Sequence, residues 1–313
     1  MNPAFSVILF TTLSGAGYGL LLWWTLALYS FGIVDAGHET LAPWMVAFAL
    51  GLVLVSIGLS SSVFHLGKPL RAWRAFSQWR TSWLSREGVA SIIVYAAAGV
   101  FLLSVYFEWM LLLDVSAVMI AIASIGTVYC TAMIYASLRP VPAWRHPLVI
   151  PGYFAFALLT GGLVCLGIYA LVGDGTTLSV ASIATMVLIA AATAVIKLIY
   201  WRAIDQIKLP SRESATALDN IGTVTTFERP HTEANYLTNE MGFVLARKHA
   251  RKLRVVALLL FAGIPLFALL IAATLPATAG FALWIAALAA LAGAFVERWL
   301  FFAEAKHMVM LYY

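Results

Sequence analysis

Residues 254–301 read RVVALLLFAGIPLFALLIAATLPATAGFALWIAALAALAGAFVERWLF. After Arg254 the next charged side chain is Glu297, and the run is interrupted only at Leu275-Pro276-Ala277-Thr278. A hydrocarbon core about 30 Å thick needs roughly 20 apolar residues in a helix. The stretch therefore supplies two spans, 254–275 and 279–301, joined by a very short connection. Its apolar character is unbroken rather than alternating, which argues against a transmembrane barrel.

The same pattern recurs along the chain, at 4–30, 42–64, 88–111, 116–138, 149–172 and 179–201. Of 313 residues, 63% are hydrophobic and 11% charged, where a soluble domain would carry about a quarter charged. A soluble protein with this many apolar helices would have little polar surface left. The expected fold is all-α: a polytopic membrane protein, a bundle of eight transmembrane helices forming one anchor domain over 1–313, with a long connection at about 202–253. Residues 5–31 do not read as a signal peptide, because no basic leader precedes them and seven further spans follow.

Charge orients the bundle. An even number of spans puts both termini on one side, together with the connections 65–87, 139–148 and 202–253. With span-end residues assigned to the nearer face, that side holds all 19 Lys and Arg and nine of the 14 acids, a net of +10. The other side holds Asp35, Glu39, Glu108, Asp114 and Asp174, and no base. Basic residues are retained in the cytoplasm, so this face and both termini are expected there, in a bacterial inner membrane. A basic docking surface for a partner would add to the same bias. The net charge of +5 has no nucleic-acid motif beside it and is accounted for by membrane sorting.

The most distinctive segment follows the second span: His65-Leu66-Gly67-Lys68-Pro69-Leu70-Arg71-Ala72, then Trp73, Arg74, Trp79, Arg80 and Trp83-Leu84-Ser85-Arg86-Glu87. The helix is expected to stop near Gly67 or Lys68, since Pro69 restricts the residue before it. Indoles and guanidinium groups then suit an interfacial segment. His65 reads either as a helix-end histidine bonded to a carbonyl or as a group that hydrogen-bonds a quinone carbonyl and exchanges a proton. Residues 139–147, with three prolines, either brace a partner through Arg139, Trp144 and Arg145 or mark a turn. Residues 217–237, with Arg229, read as an ordered hairpin or a flexible linker. Small residues at Ser14–Gly19 and Thr160-Gly161-Gly162 permit close helix approach.

Absences also exclude chemistry. No Walker, Rossmann, zinc or nucleophile-elbow pattern is present, so neither a catalytic nor a metal residue is assigned. Cys130 and Cys165 lack the spacing of a metal or disulfide motif. No histidine pair falls on facing spans, so no haem is expected. Few ionisable residues fall near mid-membrane, leaving no evident proton wire and making a transporter the weaker class.

The segment from His65 to Ala72, continued by Trp83 to Glu87, resembles the DmsC family, the membrane anchors of dimethyl-sulfoxide-reductase-type molybdoenzymes, themselves similar to the wider quinone-interacting NrfD group. Length and eight-span layout agree with it over nearly the whole sequence. The resemblance implies electron exchange between a partner iron–sulfur subunit, which carries a molybdopterin catalytic subunit, and membrane ubiquinone or menaquinone; the clusters and molybdopterin would reside only in the partners. It implies a quinone site at His65, with Gly67, Lys68, Arg71, Arg74 and Trp83 around it. Arg80, Arg86, Glu87, Arg139, Arg145 and Arg229 are then docking candidates, Glu87 pairing with an arginine. The bacterial dimethyl sulfoxide reductase anchor presents this motif to the periplasm. A cytoplasmic face here is more similar to the sulfite dehydrogenase branch, implying sulfite oxidation by the partner. A quinol-oxidising anchor of a dimethyl sulfoxide or other reductase, and a purely structural anchor, are the alternatives.

Overall fold

A computed structural model describes residues 4–30, 38–64, 66–172, 179–207, 209–228 and 245–311. The helices are α1 (Phe5–Ser30), α2 (His38–Val63), α3 (Trp83–Phe107), α4 (Met110–Ala136), α5 (Val149–Val172), α6 (Val180–Asp205), the short α7 (Arg212–Thr216), α8 (Leu245–Leu258), α9 (Ile264–Thr274) and α10 (Ala279–Ala303). A 3₁₀ segment, Pro69–Gln78, joins α2 to α3, and a π-turn, Leu259–Gly263, joins α8 to α9 into one span. Eight helical spans are long and apolar enough to cross a membrane, and the described residues contain no strand. The protein is an all-α, polytopic membrane protein.

The π-turn has a local cause. Pro265 has no N–H to give the carbonyl one turn before it, and a widened turn lets the backbone re-pair inside the bilayer. That turn lies against α10 at Gly293, where a Cβ would come 2.5 Å from the Phe261 nitrogen. The turn between α3 and α4 is tight because Glu108 caps α3 in the left-handed conformation, φ 58°.

Helix α1 is the hub of the bundle and packs against α2, α4, α5 and α10. Trp24 at its centre is fully buried, with ring centroids 4.7 Å from Phe48 and 4.8 Å from Phe101. The small residues foreseen as contact points lie at the α1–α5 crossing. A Cβ on Gly19 would fall 1.8 Å from the Ala157 carbonyl oxygen, and one on Gly161 would fall 2.2 Å from the Gly19 carbonyl carbon. In lipid, where close packing replaces the hydrophobic drive between helices, this crossing holds the hub in place. Gly161→Leu must separate α1 from α5 at a cost of about 1–3 kcal/mol or more. A clear fall in thermal midpoint is expected, against little change for Gly126→Ala, whose Cβ would meet nothing within 4 Å.

The basic residues gather at one end. Arg254 binds both Asp205 oxygens, at 2.7 and 2.8 Å, and both Glu304 oxygens, at 2.9 and 3.2 Å, tying α6, α8 and α10 together. The Met308 amide donates to the Pro140 carbonyl at 3.0 Å, and Arg212 Nε donates to the Leu311 carbonyl at 2.8 Å. α7 folds back so that the Val224 amide donates to Glu213, while Arg212 holds Thr226. Hydrogen bonds from the backbone N–H groups of Glu213 itself and of Val224 hold this carboxyl below its usual range. A depressed carboxylate pKa stabilises the fold-back above the ordinary pKa, and that support is lost as pH falls through the depressed value. Amide exchange at Val224 should therefore accelerate on acidification below the usual carboxylate range, and not in Glu213→Gln.

Candidate functional site

Helix α2 ends at Val63, earlier than Pro69 alone required, and the backbone runs into the 3₁₀ segment with Pro69 at its first turn. Ten residues is long for this helix type, and its two halves differ. The C-terminal half is clamped to α3. Ser85 Oγ donates to the Ala75 carbonyl at 2.6 Å, and Arg86 donates to the carbonyls of Trp79 (3.0 Å) and Arg80 (2.7 Å). Phe76 sits where a Cβ on Gly88 would be 2.8 Å from its ring. The N-terminal half is uncovered, as is the residue just after α2: Leu70 is 93% exposed and Trp73 66%, and Phe64, before the segment, 85%. Lys68, Arg71 and Arg74 stand beside them, also exposed and forming no ion pair among the described residues.

Behind this rim, α3 carries Glu87, Ser91 and Tyr95, four residues apart and so on one face. Each makes a hydrogen bond to a different helix. Glu87, 3% exposed, accepts from Thr131 of α4. Ser91 meets the Tyr18 hydroxyl of α1 at 2.9 Å, and Tyr95 meets Ser56 of α2 at 2.6 Å. Ser91 also donates to the Glu87 carbonyl, so Tyr18 is the donor to Ser91; Ser56 and Tyr95 both also reach the Leu52 carbonyl, at 2.8 and 3.4 Å, and either can donate to the other. Polar side chains inside a bilayer are costly and mark functional positions. This row runs from the basic face inward, and its innermost pair, Ser56–Tyr95, is exposed between α2 and α3.

The Thr131 hydroxyl touches two acceptors, Glu87 and the Thr127 carbonyl at 2.9 Å, with one hydrogen to give. As a carboxylate, Glu87 takes that hydrogen. As an acid, Glu87 donates to Thr131, which then donates to Thr127. Both protonation states are accommodated without moving a side chain, as a proton-exchanging group requires.

The family model described as DMSO reductase anchor subunit (DmsC) matches residues 1–303. The protein belongs to the DmsC family. It is similar to a sulfite dehydrogenase subunit of Allochromatium vinosum, 32% identical over all of this sequence and 99% of that one. It is also similar to an anaerobic dimethyl sulfoxide reductase chain of Escherichia coli, 28% identical over 42% of this sequence and 47% of that one. The corresponding Haemophilus influenzae protein is 23% identical over 50% of this sequence and 54% of its own.

The residues singled out in the sequence of this DmsC-family anchor fall into distinct groups. His65 and Arg229 lie outside the described residues. Gly67, Lys68, Arg71, Arg74, Arg80, Arg139 and Arg145 are exposed at the basic face. Trp83 is half-buried, its ring edge-on to Tyr129 and stacked under the Arg86 guanidinium, 4.2 Å from the ring centroid. Arg86 is a clamp on the turn that follows the 3₁₀ segment rather than a free docking cation.

Glu87 departs furthest from expectation. Capped by Ser82, whose side chain accepts from the Ser85 amide, α3 starts at Trp83, five residues before the expected span. That moves Glu87 from the connection into the bundle interior, where it meets Thr131 instead of an arginine. Trp144 likewise braces the bundle, buried and donating from Nε1 to the Phe301 carbonyl at 3.0 Å.

The sequence reading also passed over a buried ionic cluster. Lys197 of α6 and Glu297 and Arg298 of α10 are all at most 4% exposed; Lys197 pairs with Glu297, and Arg298 lies 3.3 Å from the same carboxylate. Their nearness to span ends hid them, because span-end residues were assigned to water. An acidic-basic doublet on a span with a lysine on a neighbouring one was the available signal.

A larger apolar cavity of ≈ 290 Å³ lies toward the other membrane face, lined by Trp23, Trp44, Cys165, Tyr169 and Met186 among others. Cys165 sits 16 residues beyond the start of α5, about 24 Å along the helix. It is remote from the 3₁₀ segment. Among the described residues no group of three His, Cys, Asp or Glu side chains is placed to hold a metal ion.

Proposed function

We propose that this protein is the quinone-interacting anchor of a molybdoenzyme complex, passing electrons from a partner iron–sulfur subunit to membrane quinone. The single observation that carries the reading is the row Glu87–Ser91–Tyr95 running inward from an uncovered, cation-rimmed 3₁₀ segment. A quinone headgroup needs hydrogen-bonding groups at the edge of an apolar passage that admits its isoprenoid tail. The exposed Ser56–Tyr95 pair joining α2 to α3 marks where that passage would open, and His65, Lys68 and Arg71 flank its mouth in the sequence. Arg80, Arg139 and Arg145 are exposed on the same face, where a partner subunit would dock. The +10 charge of that face supports a cytoplasmic position for the partners and both termini.

The quinone accepts two electrons and two protons; the protein's part is to hold the ring, donate hydrogen bonds and deliver protons. Glu87, able to exist in both protonation states on Thr131, is the proton donor nearest the rim, and His65 is the second candidate. With both groups toward the basic face, proton uptake is cytoplasmic and the step contributes little charge movement across the membrane. Similarity to a sulfite dehydrogenase subunit over the full sequence supports sulfite as the partner's substrate.

Purification of the native complex through a tag on this protein tests the assignment. Co-purifying iron and molybdenum with sulfite-dependent quinone reduction is the expected result. Quinol oxidation by dimethyl sulfoxide, without sulfite activity, would replace the sulfite reading with the reductase one. An anchor that purifies without metal-bearing partners would contradict both.

A further inference from the structure

The buried cluster of Lys197, Glu297 and Arg298 has no part in the reading above, and its surroundings give it one. Arg298 is stacked on Tyr153 of α5, its guanidinium carbon 3.7 Å from the ring centroid, and Lys197 Nζ lies 4.1 Å from the Tyr200 ring centroid. These rings take the place of water around the cations. Arg298 also lines a small cavity of ≈ 10 Å³ enclosed by α1, α4, α5 and α10. Thr131, the partner of Glu87, lines the same cavity, so the cluster and Glu87 each reach it through a neighbour, Arg298 and Thr131. The hydroxyls of Thr12 and Tyr153, 6% and 5% exposed, belong to residues that line this cavity, and they have no hydrogen-bond partner among the described residues. The space is at the lower limit for one water, and that water would satisfy both hydroxyls.

Charge counting gives the consequence. With all three groups ionised the cluster is +1, an unfavourable state away from water. Arg298 keeps its proton at any ordinary pH, so Lys197 is the one cation of the cluster with a proton to give. Loss of that proton leaves the cluster neutral. Glu87 is the complement across the cavity: neutral as an acid, −1 as a carboxylate. One proton moving from Lys197 to Glu87 therefore turns two buried net charges into none. The groups facing Lys197 are Glu297 and Arg298 on α10, Tyr200 and Trp201 on its own helix, Glu304 beyond α10, and His146 on the connection after α4. The His146 ring is 5.6 Å from that of Tyr200 and half-exposed at the basic face, and its pKa is pushed down by burial and by Lys197, so it is available as a neutral carrier from water.

We propose that Lys197, paired with Glu297 and Arg298, is a second proton site that reprotonates Glu87 across the hydroxyl-lined cavity after each proton Glu87 gives to the quinone. The inference rests on the quinone reading above. In the step, Glu87 loses a proton to the reduced quinone oxygen, the two electrons having come from the partner's iron–sulfur clusters. The Lys197 ammonium then becomes an amine as the Glu87 carboxylate becomes an acid, and Lys197 regains its proton from water at the basic face. Lys197 is a positioning and proton-supplying residue, not one that touches quinone.

The test uses the whole complex, with quinone-linked and artificial-acceptor turnover measured in parallel. Lys197→Arg keeps the charge but cannot release a proton; Lys197→Met leaves Arg298 and Glu297 as a neutral pair and is expected to fold. Both should lower quinone-linked kcat roughly ten- to 100-fold, with quinone KM and artificial-acceptor turnover unchanged and a larger solvent deuterium effect. Wild-type kcat and isotope effect in Lys197→Arg would overturn the proposal. So would a loss in Lys197→Met that Lys197→Arg restores, since charge alone would then suffice. Glu87→Gln separates this from the reading beneath it. If Glu87→Gln reduces quinone normally, the quinone site itself is misplaced; if it is impaired while both Lys197 variants are normal, only the second proton site is overturned.

Discussion

His65→Ala is expected to leave the complex assembled and its artificial-acceptor activity intact, while quinone-linked turnover falls roughly 100-fold. His65 lies between the last turn of α2 and the 3₁₀ segment, and the residues on either side of it, Phe64 and Leu66, are exposed. The clamp that orders this segment acts further along, through Ser85, Arg86 and Phe76. Removing the imidazole should therefore subtract a hydrogen-bonding, proton-exchanging group without loosening the segment. Unchanged quinone kinetics would favour a structural role for the histidine. Loss of artificial-acceptor turnover as well, in an intact complex, would also remove it from the quinone site.

The second large effect concerns stability. Glu297 is the sole carboxylate in contact with the Lys197 and Arg298 side chains among the described residues. Glu297→Ala leaves two cations facing each other inside the bundle. Breaking a buried ion pair by removing one partner costs about 3–5 kcal/mol, enough to deplete a marginally stable fold. The expected outcome is loss of the protein from the membrane fraction. Adding Lys197→Met removes one of the two stranded cations and should recover part of the loss, giving a clear coupling in the double-mutant cycle. Equal, additive losses would mean that the pair contributes little.

What could be read from the sequence depended on whether the decisive property was local. Eight apolar runs with no alternation are a local property, and all eight spans were legible from them. Pro276 between two such runs fixed a short turn for the same reason. The charge asymmetry was legible by counting. Helix starts were not: Ser82 as the cap of α3 moved Glu87 by one turn from an aqueous connection into a buried hydrogen bond. A side chain's neighbours across helices, such as Thr131 for Glu87 or Lys197 for Glu297, depend on helix rotation, which no single span specifies. Trp144 shows the same limit. Its proline-rich setting suggested a rigid connection, and only the position of Phe301 reveals that the indole serves the bundle.

The Gly19–Gly161 crossing was foreseen as a pair of small-residue stretches, but not that the two stretches meet. Close approach is possible wherever side chains are small; which helices use it follows from the topology. The quinone-contacting residues proposed from the His65 motif stand apart from both cases, since the family resemblance, and not periodicity or spacing, suggested them.

The central claim is that quinone is handled at the basic face, between α2 and α3. Photoaffinity labelling of the purified complex with an azido-quinone, followed by peptide mapping, tests it most directly. Label within residues 64–95, displaced by excess quinone, is the predicted result. Displaceable label confined to residues 162–186, around the aromatic cavity toward the opposite membrane face, would contradict it.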